Sequence, residues 1–311
     1  MIDEDDESEF NSRATLRRAR SNAAHRRGRR AVTPPERAAL EGADSGFEPS
    51  YKSDDEHGER QSIIDALAAP YHDHLIDDVL SMIKGGKEAT VYLCRAHAST
   101  GRAFFAAKIY RPRKQRSLKN DALYREGRGV TDSSGKALLA RDRRVQRAVQ
   151  NMTTFGAELR IGSWIAHEHT TLRLLHAAGA DVPRPHALAH QAIVMDYLGD
   201  AELTAPTLNH VTLEPAEAKV VFRRVLDNVE LMLMHHRVHA DLSAYNILYW
   251  DGAPTIIDFP QAVDPRVNRH AEALLVRDIE RVCQYFSRYG VAADAHALAA
   301  DLWSRYLHAR L

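Results

Sequence analysis

The chain has 311 residues, 44% hydrophobic and 27% charged, with 42 Lys+Arg balanced by 42 Asp+Glu. That length admits one domain or two lobes plus a tail, the zero net charge excludes a globally basic nucleic-acid binder, and two cysteines, Cys94 and Cys283, are too few for a disulfide framework or a cysteine-ligated cluster. No apolar run reaches the about 18 residues of a membrane span and the start MIDEDDESEF is acidic rather than signal-like, so a cytoplasmic protein with no membrane attachment is expected.

In chain order, residues 1–60 read as a disordered tail: an acidic block at 3–9, an arginine run from Arg13 to Arg30, then a Pro/Gly/Ser/Glu stretch with little to bury. The plain reading is a solvated tail without a partner; the sharper one is contact with RNA or another polyanion, against which the acidic block would act as a screen. From Gln61 the pattern is globular. Residues 62–83, SIIDALAAPYHDHLIDDVLSMI, are helical in period and broken at Pro70. ATVYLCRAHASTGRAFFAAKIY (89–110) predicts two strands joined by a turn at Ser99–Gly101. Residues 111–160 are highly charged and read as a loop or loose helix. SWIAHEHTTLRLLHAAG (163–179) predicts a helix that Gly179 ends as a left-handed cap. Two short strands follow in 182–199. A long helix comes next in 214–237, with Pro215 in its first turn. A hairpin turns at Asp251–Gly252, and two amphipathic helices lie near 271–288 and 292–309. Strands followed by helices predict an α+β fold, a small sheet-rich lobe (61–198) and a mainly helical lobe (199–311), with a ligand site between them.

The chemistry concentrates in HADLSAYN (239–246) and IID (256–258). Asp241 and Asn246 flank a tight loop after the long helix, and Asp258 ends the second hairpin strand. Two carboxylates and an amide oxygen are hard ligands that suit Mg²⁺ beside substrate phosphates. One carboxylate is left to orient an attacking hydroxyl, the division that phosphoryl transfer needs. HHRVHAD (235–241) also has histidines four apart, as a zinc site would, but a helix ending near Arg237 removes that geometry.

These motifs resemble those of the RIO kinases, an atypical branch of the protein-kinase-like superfamily, in order from about residue 80 to 289. HADLSAYN is similar to their catalytic loop, IIDFPQAVDP to their metal-binding segment, GGKEATVY (85–92) to their phosphate-binding loop and AAKIY (106–110) to the strand of the nucleotide-binding lysine. Trp164–Leu172 resembles the following helix and Ile193–Tyr197 the hinge. The match is to the subfamily without an N-terminal winged-helix domain. The resemblance implies a two-lobed protein-kinase-like fold that binds ATP with Mg²⁺, or Mn²⁺ in its place. It implies serine/threonine phosphorylation of a protein substrate or of the chain itself, ATPase turnover, and phosphorylation of Asp258 as an intermediate. It places Gly85, Gly86 and Lys87 on the phosphates, Lys108 on the α- and β-phosphates with Glu168 holding it (Glu158 second), and the adenine along the backbone around Met195 and Tyr197. Asp241, Asp258 and Lys108 are the implied catalytic residues.

Some positions depart from the pattern. Ser243 stands where typical protein kinases carry lysine, as in RIO members. Pro260 replaces the glycine after Asp-Phe, and its fixed φ opposes a mobile flip. About a dozen residues separate this segment from the next helix, too few for a long activation loop, and 111–160 lack an arginine-rich motif expected of the family. Two alternatives remain: a small-molecule phosphotransferase of the aminoglycoside or choline kinase type, which shares HxDLxxxN…IIDF, and a nucleotide-gated ribosome-assembly factor whose arginine-rich tail meets ribosomal RNA or a pre-ribosomal particle.

Overall fold

The computed structural model describes residues 46–52, 58–111, 154–189 and 191–311. The arginine run and most of the charged stretch 111–160 lie outside the described residues. All described elements belong to one compact unit, Phe47–Leu311. Helix α1 (Gly58–His72) leads into strands β1 (Ile76–Gly85), β2 (Ala89–Ala96) and β3 (Phe104–Tyr110). Helix α2 (Thr154–Ala177), strands β4 (Pro185–Leu188) and β5 (Ala192–Asp196), and helix α3 (Pro215–Met234) follow. The hairpin β6 (Ile247–Trp250) and β7 (Ala253–Ile256) precedes helices α4 (Ala271–Ser287) and α5 (Ala295–Leu307).

Two expectations are corrected. Beyond the break at Pro70, residues 76–83 are not helical. Pro70 sits in the last turn of α1, His74 adopts a positive φ of 53°, and the chain returns as β1. The helical appearance of LIDDVLSMI has a cause in the strand itself. The β1–β2 register slips between Ile76 and Asp78, Val79 and Ser81, and Met82 and Lys84. Each slip breaks the two-residue alternation, so the buried residues Ile76 and Val79 fall three apart, as on a helix. The tail also ends earlier than residue 60. Phe47 is 2% exposed in the core, and Tyr51 N–H donates to Val79 O at 3.0 Å.

The five-stranded sheet has the order β1-β2-β3-β5-β4 and its strand pairs are antiparallel. β3 is central, and its side chains alternate between two cores. Phe105, Ala107 and Ile109 pack with Phe47, Ile63, Leu67 and Val194 on one face. Ala106 and Tyr110 pack with Ile193, Met195, Leu172 and Leu175 on the other, continuous with the interior of the helical part. Lys108 therefore belongs to the face that meets the helices. In the helical part, the Asp251–Gly252 turn takes φ of 52° and 75°, the left-handed pair that a two-residue hairpin needs. Gly179, just past α2, has φ of 88°, as expected of its cap.

Candidate active site

Lys108 is 9% exposed and its Nζ lies 2.7 Å from Glu168 Oε1 and 2.5 Å from Asp258 Oδ1. Glu168 occupies the apolar stripe of α2 with Ile165, Leu172 and Leu175, which is why it is only 1% exposed. Its Oε1 also accepts the Phe259 N–H at 3.2 Å, while Oε2 has no hydrogen-bond partner among the described residues. Burial raises the Glu168 carboxyl above its usual range despite the Lys108 cation. Burial also works to lower the Lys108 ammonium, but the Asp258 and Glu168 charges prevail and hold it above its ordinary value. At Asp258, burial favours the neutral form and Lys108 outweighs it, leaving the carboxyl below its usual range. Of the two glutamates considered for Lys108, Glu168 makes the bond.

The hairpin explains how Asn246 and Asp258 come together. β6 and β7 pair Ile247 with Ile256, and the Ile257 N–H donates to Asn246 O at 3.0 Å, so Asn246 and Asp258 stand at the open end of one ladder. Asn246 Nδ2 donates to Asp241 O at 2.9 Å, which ties the amide to the catalytic loop and leaves its oxygen as the acceptor. Asp258 has a positive φ of 74°, an uncommon conformation for a non-glycine residue. The flanking residues hold it there. Phe259 is 0% exposed and bonded to Glu168, and Val263 exchanges both backbone hydrogen bonds with Val238.

His239 is 2% exposed. Its Nδ1 accepts the Asp241 N–H at 3.3 Å, which makes Nε2 the protonated nitrogen that donates to Ile257 O at 3.1 Å. Burial lowers its basicity, so it is a neutral brace between the 239–246 loop and the 256–258 segment. The preceding helix ends at Met234 with His235 as its C-cap, so His235 and His239 do not stand one turn apart on a helix, and His236 Nδ1 bonds the Tyr306 hydroxyl at 2.9 Å.

Three α4 residues grip the catalytic loop, and sequence reasoning missed all of them. Asp278, 1% exposed, accepts Ala240 N–H at 2.7 Å and Leu242 N–H at 3.0 Å. Burial pushes its carboxyl up to about 7 against those two bonds. Arg277 donates to Ala240 O, and Arg281 Nη1 donates to Asp241 Oδ1 at 2.8 Å. The signal for Asp278 is a carboxylate inside the apolar stripe of Leu274, Leu275, Val282 and Tyr285.

At the phosphate-loop motif, β1 and β2 turn through Gly86–Glu88. A Cβ on Gly86 would meet Ala89 O at 2.8 Å, so the turn closes only around glycine; at Gly85 the nearest contact would be an ordinary 3.5 Å to Met82 Sδ. Lys87 is exposed. Met195 pairs with Ala106, two residues from Lys108, and is 8% exposed. The Tyr197 hydroxyl is committed to Asp200 O and Thr204 Oγ1 in the turn after β5, so its side chain supports the hinge. In the hinge backbone, Asp196 N–H donates to Arg184 O and Leu198 O accepts from Ala205 N–H.

A family model described as RIO domain matches residues 90–298, more than half of the chain. The chain is 29% identical over 224 residues to the serine/threonine-protein kinase RIO1 of Homo sapiens, covering 70% of this chain and 35% of that protein. It is 32% identical over 233 residues to the serine/threonine-protein kinase RIO1 of Chaetomium thermophilum, covering 70% and 41%. With the RIO-type serine/threonine-protein kinase Rio1 of Haloferax volcanii the identity is 35% over 142 residues, covering 44% and 47%. The chain belongs to the RIO family. It spans between about a third and a half of the length of these relatives.

Proposed function

We propose that the chain catalyses ATP-dependent phosphoryl transfer, as a serine/threonine protein kinase acting on a protein substrate or on itself, or as an ATPase. The observation that carries this reading is the Lys108 ammonium held between Glu168 and Asp258, 60 and 150 residues away in sequence. One cation between two carboxylates leaves a net negative centre, which suits a divalent ion bringing a polyphosphate. The donor set fits Mg²⁺, or Mn²⁺: the Asp258 carboxylate and the Asn246 amide oxygen are hard ligands. When bound, the ion supplies neutralisation of phosphate charge. Lys108 then pairs with phosphate oxygens. The turn around Gly86 offers backbone N–H groups to them, and the hinge backbone beside Met195 and Tyr197 receives the adenine. Asp241, steadied through Oδ1 by Arg281, keeps its second oxygen for the proton of the attacking hydroxyl or water.

Two further parts of the reading rest on sequence. Eight arginines between positions 13 and 30 support contact with ribosomal RNA or a pre-ribosomal particle, and two free, buried cysteines support a reducing cytoplasmic setting. The test is incubation with γ-labelled ATP and Mg²⁺, followed by separation of protein-bound label from free phosphate. Label on protein or released phosphate is expected. Label passed instead to an added aminoglycoside or small alcohol would replace the kinase reading with a small-molecule phosphotransferase.

A further inference from the structure

Strand β1 carries a lysine that the motif comparison does not single out. Lys84 stands opposite Val91 of β2, and Val91 stands opposite Lys108 of β3. Residues directly opposite in adjacent strands share a face of the sheet, so Lys84, Val91 and Lys108 form one row. Two strand spacings of about 4.8 Å separate the ends of that row by roughly 10 Å. The register slip between Met82 and Lys84 creates this placement. Met82 is opposite Tyr92, which packs into the core on the far face. In a regular strand a residue two positions on would share that face. The slip turns Lys84 instead to the face of Val91, which packs against the core shared with the helical part.

Lys84 is exposed and has no ion pair within 4 Å among the described residues. It immediately precedes Gly85 and Gly86, where the turn leaves no room for a side chain at Gly86. The sheet order runs β1-β2-β3-β5. A nucleotide with its base at the hinge after β5 and its inner phosphates at Lys108 on β3 therefore extends its outer end toward β1.

We propose that Lys84 is a further phosphate-binding lysine, which contacts the terminal phosphate of a nucleoside triphosphate and lets the site tell a triphosphate from a diphosphate. This rests on the phosphoryl-transfer reading above. The experiment is calorimetric titration of the full chain and of the Lys84→Gln and Lys84→Arg variants with ATP and with ADP, each with Mg²⁺. Lys84→Gln is expected to lose about tenfold in affinity for ATP, as for one charge-assisted contact, with ADP affinity little changed. Lys84→Arg is expected to retain the preference. ATP and ADP affinities that both match wild type in Lys84→Gln, or that fall together, would overturn the role. Binding of neither nucleotide by the wild-type chain would instead overturn the phosphoryl-transfer reading itself.

Discussion

Arg281 Nη1 donates to Asp241 Oδ1 at 2.8 Å, joining α4 to the catalytic loop across 40 residues. The two side chains are 40% and 38% exposed, so the pair acts through orientation more than through stability. Arg281→Ala is expected to lower kcat about three- to tenfold while leaving the KM for ATP nearly unchanged, because it frees the carboxylate without touching the nucleotide. Arg281→Lys should recover part of the loss. Steady-state kinetics of both variants decide it, and an effect on KM alone would be the contrary result.

Asp278 behaves differently because it is buried. Asp278→Ala leaves the Ala240 and Leu242 N–H groups without their acceptor, at a cost of about 1–3 kcal/mol for each. Thermal unfolding should show the loss. The pH dependence has a definite sign. The Asp278 carboxyl is raised from 3.8 to about 7 by burial, so over that window the folded chain keeps a proton that the unfolded chain has released. Its contribution to stability is then fully present below the unfolded value and is lost as pH rises toward 7. Asp278→Asn should flatten this slope, and an unchanged slope would show that another group causes it.

The same reasoning governs Lys108. Removing it strands Glu168, which is 1% exposed, as an uncompensated buried charge. Lys108→Met is therefore expected to cost about 3–5 kcal/mol near neutral pH as well as to abolish ATP turnover. The double variant Lys108→Met/Glu168→Gln should regain much of the stability and none of the activity. Chemical denaturation beside a turnover assay separates the two effects.

Gly86→Ala places a Cβ 2.8 Å from Ala89 O, a backbone atom that yields only if the turn opens. The KM for ATP should rise several-fold, with kcat less affected. Gly85→Ala, whose nearest contact is 3.5 Å, is the control and should bind ATP much as wild type does.

Most of the site was legible in the sequence because its chemistry sits in short contiguous motifs. The β6–β7 hairpin brings Asn246 to Asp258 by local pairing, and the Asp-Gly turn announces that hairpin. Glu168 was legible as the one acidic residue of WIAHEHTTL, where the resemblance places the partner of Lys108. Asp278 and Arg281 were not, because their partners lie 36 to 40 residues away and α4 reads as an ordinary amphipathic helix. β1 was misread because three register slips give its buried positions a helical spacing, and pairing with β2 overrides that local pattern. The last of those slips, between Met82 and Lys84, is the one that puts Lys84 on the face shared by Val91 and Lys108.

The most direct measurement is label transfer from γ-labelled ATP by wild type, Asp241→Asn and Asp258→Asn, with retained label treated with neutral hydroxylamine. If the Asp258 carboxylate attacks the γ-phosphorus, the bond to ADP breaks as the acyl phosphate forms, and water positioned by Asp241 then releases phosphate. Wild type should turn over, Asp241→Asn should hold hydroxylamine-labile label, and Asp258→Asn should hold none and release no phosphate. Near-normal ATP turnover by purified, folded Asp258→Asn would contradict the site built around Lys108, Glu168 and Asp258.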